Sequence, residues 1–177
     1  MTAASYISFL RILLIIPIII LSSYQTILTN FVSLFLFLIA GFTDYLDGYI
    51  ARKTNTETNF GALLDLLADK LLVCTVLIWF LFLDNNSYIL FPVILIVSRE
   101  LSILSVRLMI VEKEGMPLPR VSFLGKLKTA FQIVSISFLF ISSSFNFAFY
   151  SFSIVCLWIA AGVSLYSFFD YLNKWKL

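Results

Sequence analysis

The amino-acid sequence predicts an all-α membrane protein, with six transmembrane helices forming a single domain over residues 1–177. Three observations lead there. Of the 177 residues, 61% are hydrophobic and 12% charged, whereas soluble domains carry about 25% charged residues. The apolar residues fall in long uninterrupted runs, which favours helices over a barrel of alternating strands. Five polar or turn-rich segments separate those runs.

The elements follow in order. Tyr6–Ser22 is the first apolar run; Arg11 inside it and the polar residues after it argue for a retained helix rather than a cleaved signal peptide. A second helix starts near Leu28 and continues through Ala40 to Arg52. The segment Lys53–Asn59 (KTNTETN) is polar enough for a loop between antiparallel helices. The third helix runs from Phe60 to Leu83 and stops at Asp84-Asn85-Asn86. The fourth spans about Tyr88 to Val111, and its interior holds Ser98, Arg99, Glu100, Ser102, Ser105 and Arg107. So polar a helix must face protein or water, not lipid. Glu112–Arg120 reads as a loop broken by Gly115, Pro117 and Pro119. Ser122 is placed to cap a fifth helix carrying Gly125, Lys126, Lys128, Thr129 and Gln132, which ends near Ser142. The sixth covers about Phe147–Leu172. After it come Lys174, Trp175 and Lys176, which with Tyr171 and Asp170 suit a membrane interface.

Charge sets the expected orientation. Ser22–Asn30, Asp84–Ser87 and Ser143–Asn146 contain no Lys or Arg, whereas the alternate segments hold Arg52 and Lys53, then Lys113, Arg120, Lys126 and Lys128, then Lys174 and Lys176. The positive-inside rule puts the latter set and both termini in the cytoplasm. A net charge of +2 gives no case for nucleic acid, and a chain without histidine lacks the commonest general base. Cys74 and Cys156 lie in apolar runs and read as packing residues.

The chemistry concentrates between Asp44 and Asp69. Asp44 and Asp47 are i and i+3 on one helix, Asp65 and Asp69 are i and i+4 on the next, so each pair shares a face. Asp44 lies eight residues before Arg52 and Asp69 nine after Phe60, or about 12 and 14 Å of helix, so the outer carboxylates arrive at similar depth. Four like charges in an apolar setting call for a cation, and all-oxygen ligands suit Mg²⁺ or Mn²⁺. The plainer alternative is structural ion pairing, for which Arg52, Lys53 and Lys70 are the nearby cations. Gly48 and Gly61, beside the acidic pairs, leave room for something large to approach the backbone.

As a pattern the stretch is D-x2-D-G-x2-A-R-x8-G-x3-D-x3-D, met by Asp44, Asp47, Gly48, Ala51, Arg52, Gly61, Asp65 and Asp69. It resembles the signature of the CDP-alcohol phosphotransferase family at all eight positions. The resemblance extends over nearly the whole chain and implies that family's six-helix fold, CDP-linked substrates, two divalent metal ions per site and a homodimer. Two further stretches, Ser98-Arg99-Glu100 with Arg107 and Gly125-Lys126-Leu127-Lys128-Thr129 with Gln132, are similar to the branch that makes phosphatidylglycerophosphate. That branch opens with N-x2-T-x2-R-x5-P; here Ser5, Ser8, Arg11 and Pro17 hold the spacing, with serines in place of the Asn and Thr.

The implied reaction is attack of a glycerol 3-phosphate hydroxyl on the lipid-side phosphorus of CDP-diacylglycerol, releasing CMP in phospholipid synthesis at the cytoplasmic face. By resemblance, Asp44, Asp47, Asp65 and Asp69 hold metal, and Asp69 also takes the proton of the attacking hydroxyl. Asp44, Gly48, Arg52 and Gly61 bind CDP. An acceptor with its own phosphate requires cations, for which Arg99, Arg107, Lys126 and Lys128 are the candidates; the alternative for Lys126 and Lys128 is topology or anionic lipid. Arg99 and Arg107 lie within about 80° of each other on the helix, and Glu100 is expected to orient Arg107. Two other readings compete: a cardiolipin synthase of the same family with phosphatidylglycerol as acceptor, and a divalent-cation channel. The channel needs polar groups across the whole membrane, which Leu71–Leu83 does not offer.

Overall fold

A computed structural model of the chain describes residues 3–54, 59–84, 86–114, 123–145 and 147–175. Those residues form six helices: α1 (Ala3–Ser23), α2 (Ile27–Thr54), α3 (Asn59–Leu83), α4 (Ser87–Glu114), α5 (Phe123–Phe145) and α6 (Phe147–Trp175). The helices run further than the apolar pattern indicates. Lys53 and Thr54 belong to α2, Glu112–Glu114 to α4, and residues 143–145 to α5, so three loops are shorter than expected from the sequence. The physical reason is that polar residues continue a helix into the interface once its apolar part is docked. Ser122 lies outside the described residues.

Two of the helix starts are built by local hydrogen bonding. Gln25 takes a left-handed backbone conformation (φ 50°) and turns the chain between α1 and α2. Thr26 and Thr29 then exchange hydrogen bonds, each hydroxyl accepting from the other's amide at 3.2 Å. That is a reciprocal cap of the first turn of α2. At α4 the Oδ1 of Asn86 accepts from the Tyr88 amide at 3.1 Å, which caps that helix. Pro17 and Pro92 sit inside α1 and α4, as membrane helices tolerate where neighbours take up the freed carbonyls.

The core joins α1 to α6. Ile18, Phe37, Leu77, Phe80, Ile96, Phe140 and Leu157 are buried at its centre, and Phe80 meets Phe140 edge-on with centroids 4.7 Å apart. Cys74 and Cys156 are buried free thiols, as expected of packing residues. Two buried serines inside this region donate to a neighbouring helix: Ser33 to the Ile18 carbonyl (3.2 Å), and Ser135 to the Ser153 carbonyl (2.8 Å).

The outside is apolar. Phe147, Phe82 and Leu28 are 80%, 75% and 74% exposed, a surface that water would not tolerate at this extent and lipid would. Tyr6–Ser23, Leu64–Leu83, Ser87–Met109 and Phe147–Tyr171 are each long and apolar enough to cross a membrane; Ile27–Thr43 is a shorter apolar stretch. The molecule is an all-α integral membrane protein.

Candidate active site

Asp65 and Asp69 stand one turn apart in the first half of α3, both partly open to solvent. Gly61 precedes them on the same helix, and Asp44, Asp47, Gly48 and Arg52 occupy the last part of α2. The helical backbone of those five residues is described, but their side chains lie outside the described ones. Among the described residues no three potential ligands converge.

Asp65 and Asp69 each have a protein cation. Arg11, only 1% exposed, sends Nη1 to Asp65 Oδ1 at 3.1 Å, and Ser8 donates its hydroxyl to the same oxygen at 3.4 Å. Ser8 and Arg11 are i and i+3 on α1, which packs against α3, so one face of α1 delivers both. Lys70 Nζ lies 2.9 Å from Asp69 Oδ2. The ion-pair alternative for these acids is therefore partly realised, with a cation that is not near them in the chain: Arg11, 54 residues away from Asp65. A carboxylate has two oxygens and several lone-pair directions, so one paired cation does not stop it from ligating metal. The donor set is all-oxygen and fits a hard divalent cation.

Behind the acids lies a buried ionic cluster. Glu100 on α4 is 1% exposed and receives Lys70 (3.2 Å) from α3, Arg99 (3.5 Å) from its own helix, and Lys128 and Gln132 (3.5 Å) from α5. Arg99 continues to α6, donating through Nε to the Ser164 carbonyl (3.1 Å) and through Nη2 to the Ser167 hydroxyl (3.2 Å). Two carboxylates, Asp69 and Glu100, thus stand with three cations across α3, α4, α5 and α6. Removing Glu100, the acid that all three cations share, would leave their charge uncompensated in the interior, at a cost of about 3–5 kcal/mol.

This arrangement divides the four cations expected to bind an acceptor phosphate. Arg99 and Lys128 are buried and engaged in the cluster, whereas Lys126 is exposed on α5. Arg107, half-buried, sets its guanidinium 6.0 Å from the centre of the Tyr171 ring on α6. Arg99 and Arg107 do share a face, since both meet α6. The expectation that Glu100 orients Arg107 is corrected. Glu100 faces α3 and α5 instead, where Lys70 and Lys128 outcompete a more distant arginine. The role of Glu100 and Gln132 as a junction was not read from the sequence. The signal was an acid, a lysine and a glutamine, each inside an apolar helix that could not expose it to lipid.

Beyond this cluster, Leu72, Val76, Leu77 and Phe80 of α3 and Ile89, Val93 and Ile96 of α4 belong to the buried apolar core.

Comparison with known proteins follows the same lines. A family model described as CDP-alcohol phosphatidyltransferase matches residues 1–166. A Rickettsia felis protein named CDP-diacylglycerol–glycerol-3-phosphate 3-phosphatidyltransferase is 36% identical over 176 residues, covering 97% of this chain and 94% of its own. Proteins of the same name from Haemophilus influenzae (34% identical, 97% of this chain and 91% of theirs) and Bacillus subtilis (39%, 78% and 70%) are also similar. With its eight-position acidic motif placed on α2 and α3 and this match over most of its length, the chain belongs to the CDP-alcohol phosphatidyltransferase family.

Proposed function

We propose that this chain transfers the phosphatidyl group of CDP-diacylglycerol to glycerol 3-phosphate, giving phosphatidylglycerophosphate and CMP. The observation that carries the proposal is the likeness to proteins so named over nearly all of both chains. The motif and the positions of Asp65 and Asp69 support it.

Asp44, Asp47, Asp65 and Asp69 are the ligands of two divalent ions, Mg²⁺ or Mn²⁺. A metal bound there supplies neutralisation of the pyrophosphate charge. Asp69 accepts the proton of the attacking glycerol 3-phosphate hydroxyl. The hydroxyl oxygen forms its bond to the lipid-side phosphorus while the bond from that phosphorus to the CMP oxygen breaks, and CMP leaves with the electron pair. Gly48 and Gly61 make room for the nucleotide, and Arg52 contacts its phosphate. We read the acceptor phosphate onto Arg107 and Lys126, because Arg99 and Lys128 already have buried partners.

The remaining features of the proposal are six membrane spans, a homodimer, and a site and termini on the cytoplasmic side, this last from the distribution of Lys and Arg. Single-cysteine labelling in a background without Cys74 and Cys156 tests the orientation. The Asn85→Cys variant is expected to react with an impermeant thiol reagent in intact cells and the Thr56→Cys variant is not; labelling at position 56 would reverse the assignment.

The activity test is purified protein in detergent with labelled CDP-diacylglycerol, Mg²⁺ and a panel of acceptors. Glycerol 3-phosphate should release CMP well and free glycerol poorly. If phosphatidylglycerol outcompetes glycerol 3-phosphate, the enzyme is a cardiolipin synthase instead.

A further inference from the structure

Lys70 has an unusual double role in the geometry. Adjacent residues on a helix diverge by about 100°, so a lysine does not by default meet the carboxylate of the residue before it. Here Lys70 Nζ does meet Asp69 Oδ2, at 2.9 Å, and it lies 3.2 Å from Glu100 Oε2. Asp69 has about a third of its side chain exposed, while Glu100 has 1% and Lys70 15%. One ammonium therefore joins a carboxylate open to the site to one sealed inside the bundle.

Glu100 is held from the other side as well. Lys128 and Gln132 reach it from α5, and Arg99, which ties α4 to α6, reaches it from the neighbouring position. Its own position is therefore set by three helices. Lys70 transmits that position to Asp69. An ion cluster that served only to stabilise the bundle would not need to extend to an accessible carboxylate.

We propose that Glu100 and Lys70 are positioning residues for the acidic site: Glu100, fixed by α4 and α5, holds the Lys70 ammonium where it sets the orientation of the Asp69 carboxylate. The inference rests on the reading of Asp69 as the proton acceptor given above. It adds that the base is aimed from the far side of the bundle, through groups that touch no substrate. It also makes Lys70 a resident cation on a carboxylate read as a metal ligand, so Lys70 and metal share Asp69.

The discriminating variant is Lys70→Gln. It removes the ammonium but leaves Glu100 with Lys128, Arg99 and Gln132, so the bundle retains a counter-charged core. Misplacing a reacting group by about an ångström costs up to about a hundredfold in rate, so kcat should fall by about ten- to a hundredfold. KM for both substrates should stay within about threefold, because ground-state binding is untouched. Glu100→Gln should give a loss of the same size in whatever fraction folds. The double variant should be no worse than either single one, since both remove the same link. Lys70→Arg, which keeps the charge, should recover most of the rate.

Mn²⁺ binding, followed by the loss of the free-ion paramagnetic resonance signal, gives a readout independent of turnover. Lys70→Gln should bind Mn²⁺ at least as tightly as wild type, because a competing cation has gone. A folded Lys70→Gln protein with wild-type kcat, losses that multiply in the double variant, or Mn²⁺ binding that weakens along with kcat would each overturn the inference. Failure of the underlying reading looks different: wild-type protein that neither binds Mn²⁺ nor releases CMP from CDP-diacylglycerol defeats both. If another alcohol proves the better acceptor, the same variants measured with that alcohol decide the role of Lys70.

Discussion

At the end of the bundle that carries Asp65 and Asp69, the groups between helices are charged: Arg11 with Asp65, Lys70 with Asp69 and Glu100, Lys128 with Glu100, Arg107 over Tyr171. At the other end neutral groups prevail, and the acid there, Asp84, meets the Tyr150 hydroxyl. There Trp79 donates to the Ser22 hydroxyl at 3.2 Å, Asn86 donates to the Tyr150 hydroxyl at 3.0 Å, and a cavity of about 310 Å³ lies over Phe80, Leu139 and Asp84. Between the two ends is the apolar layer around Phe37, Leu77 and Phe140. The contrast separates two tasks. Apolar contact holds helices together without specifying direction, whereas an ion pair dictates which atoms meet and where. A site that must aim several carboxylates at one phosphorus needs the second kind, and the chain spends its buried charges there.

Five substitutions test that division, beginning with the largest effect. Asp69→Asn keeps the shape of the side chain but not its ability to accept a proton. It should lower the rate of CMP release by about 10²–10⁴, more where metal ligation is lost too, while thermal unfolding shifts little. Near-wild-type turnover would remove Asp69 from the chemistry.

Next comes Glu100→Leu, which strands Lys70, Lys128 and Arg99 in the interior without their shared acid. The expected loss is about 3–5 kcal/mol of stability, seen as poor yield and early thermal unfolding in detergent. If yield and unfolding stay at wild-type values, the charged end is not an interdependent unit.

At the apolar layer, Leu77→Ala should cost about 2–5 kcal/mol through the cavity it leaves. The molecules that remain folded should keep their kcat, since no charged contact is disturbed. A selective loss of kcat there would mean that the apolar layer also aims the site.

The smallest effect is expected for Arg107→Gln. Losing a charge-assisted contact worth about 1.5–3 kcal/mol should raise KM for glycerol 3-phosphate by about ten- to a hundredfold, with KM for CDP-diacylglycerol changing much less. Lys128→Gln serves as the contrast. Because Lys128 is buried on Glu100, its loss should appear as instability before any change in acceptor KM. Equal weakening toward both substrates in Arg107→Gln would count against the acceptor assignment.

By itself the sequence determined what depends on neighbours in the chain. Continuous apolar runs punctuated by polar turns made six helices legible, because length and hydropathy act locally. The spacing of Asp44, Asp47, Asp65 and Asp69 on two consecutive helices was legible for the same reason, as was the shared face of Arg99 and Arg107. What only the tertiary structure decided was which charge answers which. Arg11 reaches Asp65 across 54 residues, and Lys128 and Gln132 reach Glu100 across 28 and 32. Nothing in local periodicity orders such pairs, because a long flexible cation has many carboxylates within reach until helix packing removes the alternatives. So the four cations that looked alike in sequence became two kinds, Arg99 and Lys128 inside the cluster, Arg107 and Lys126 nearer its edge, once α4, α5 and α6 were set against one another.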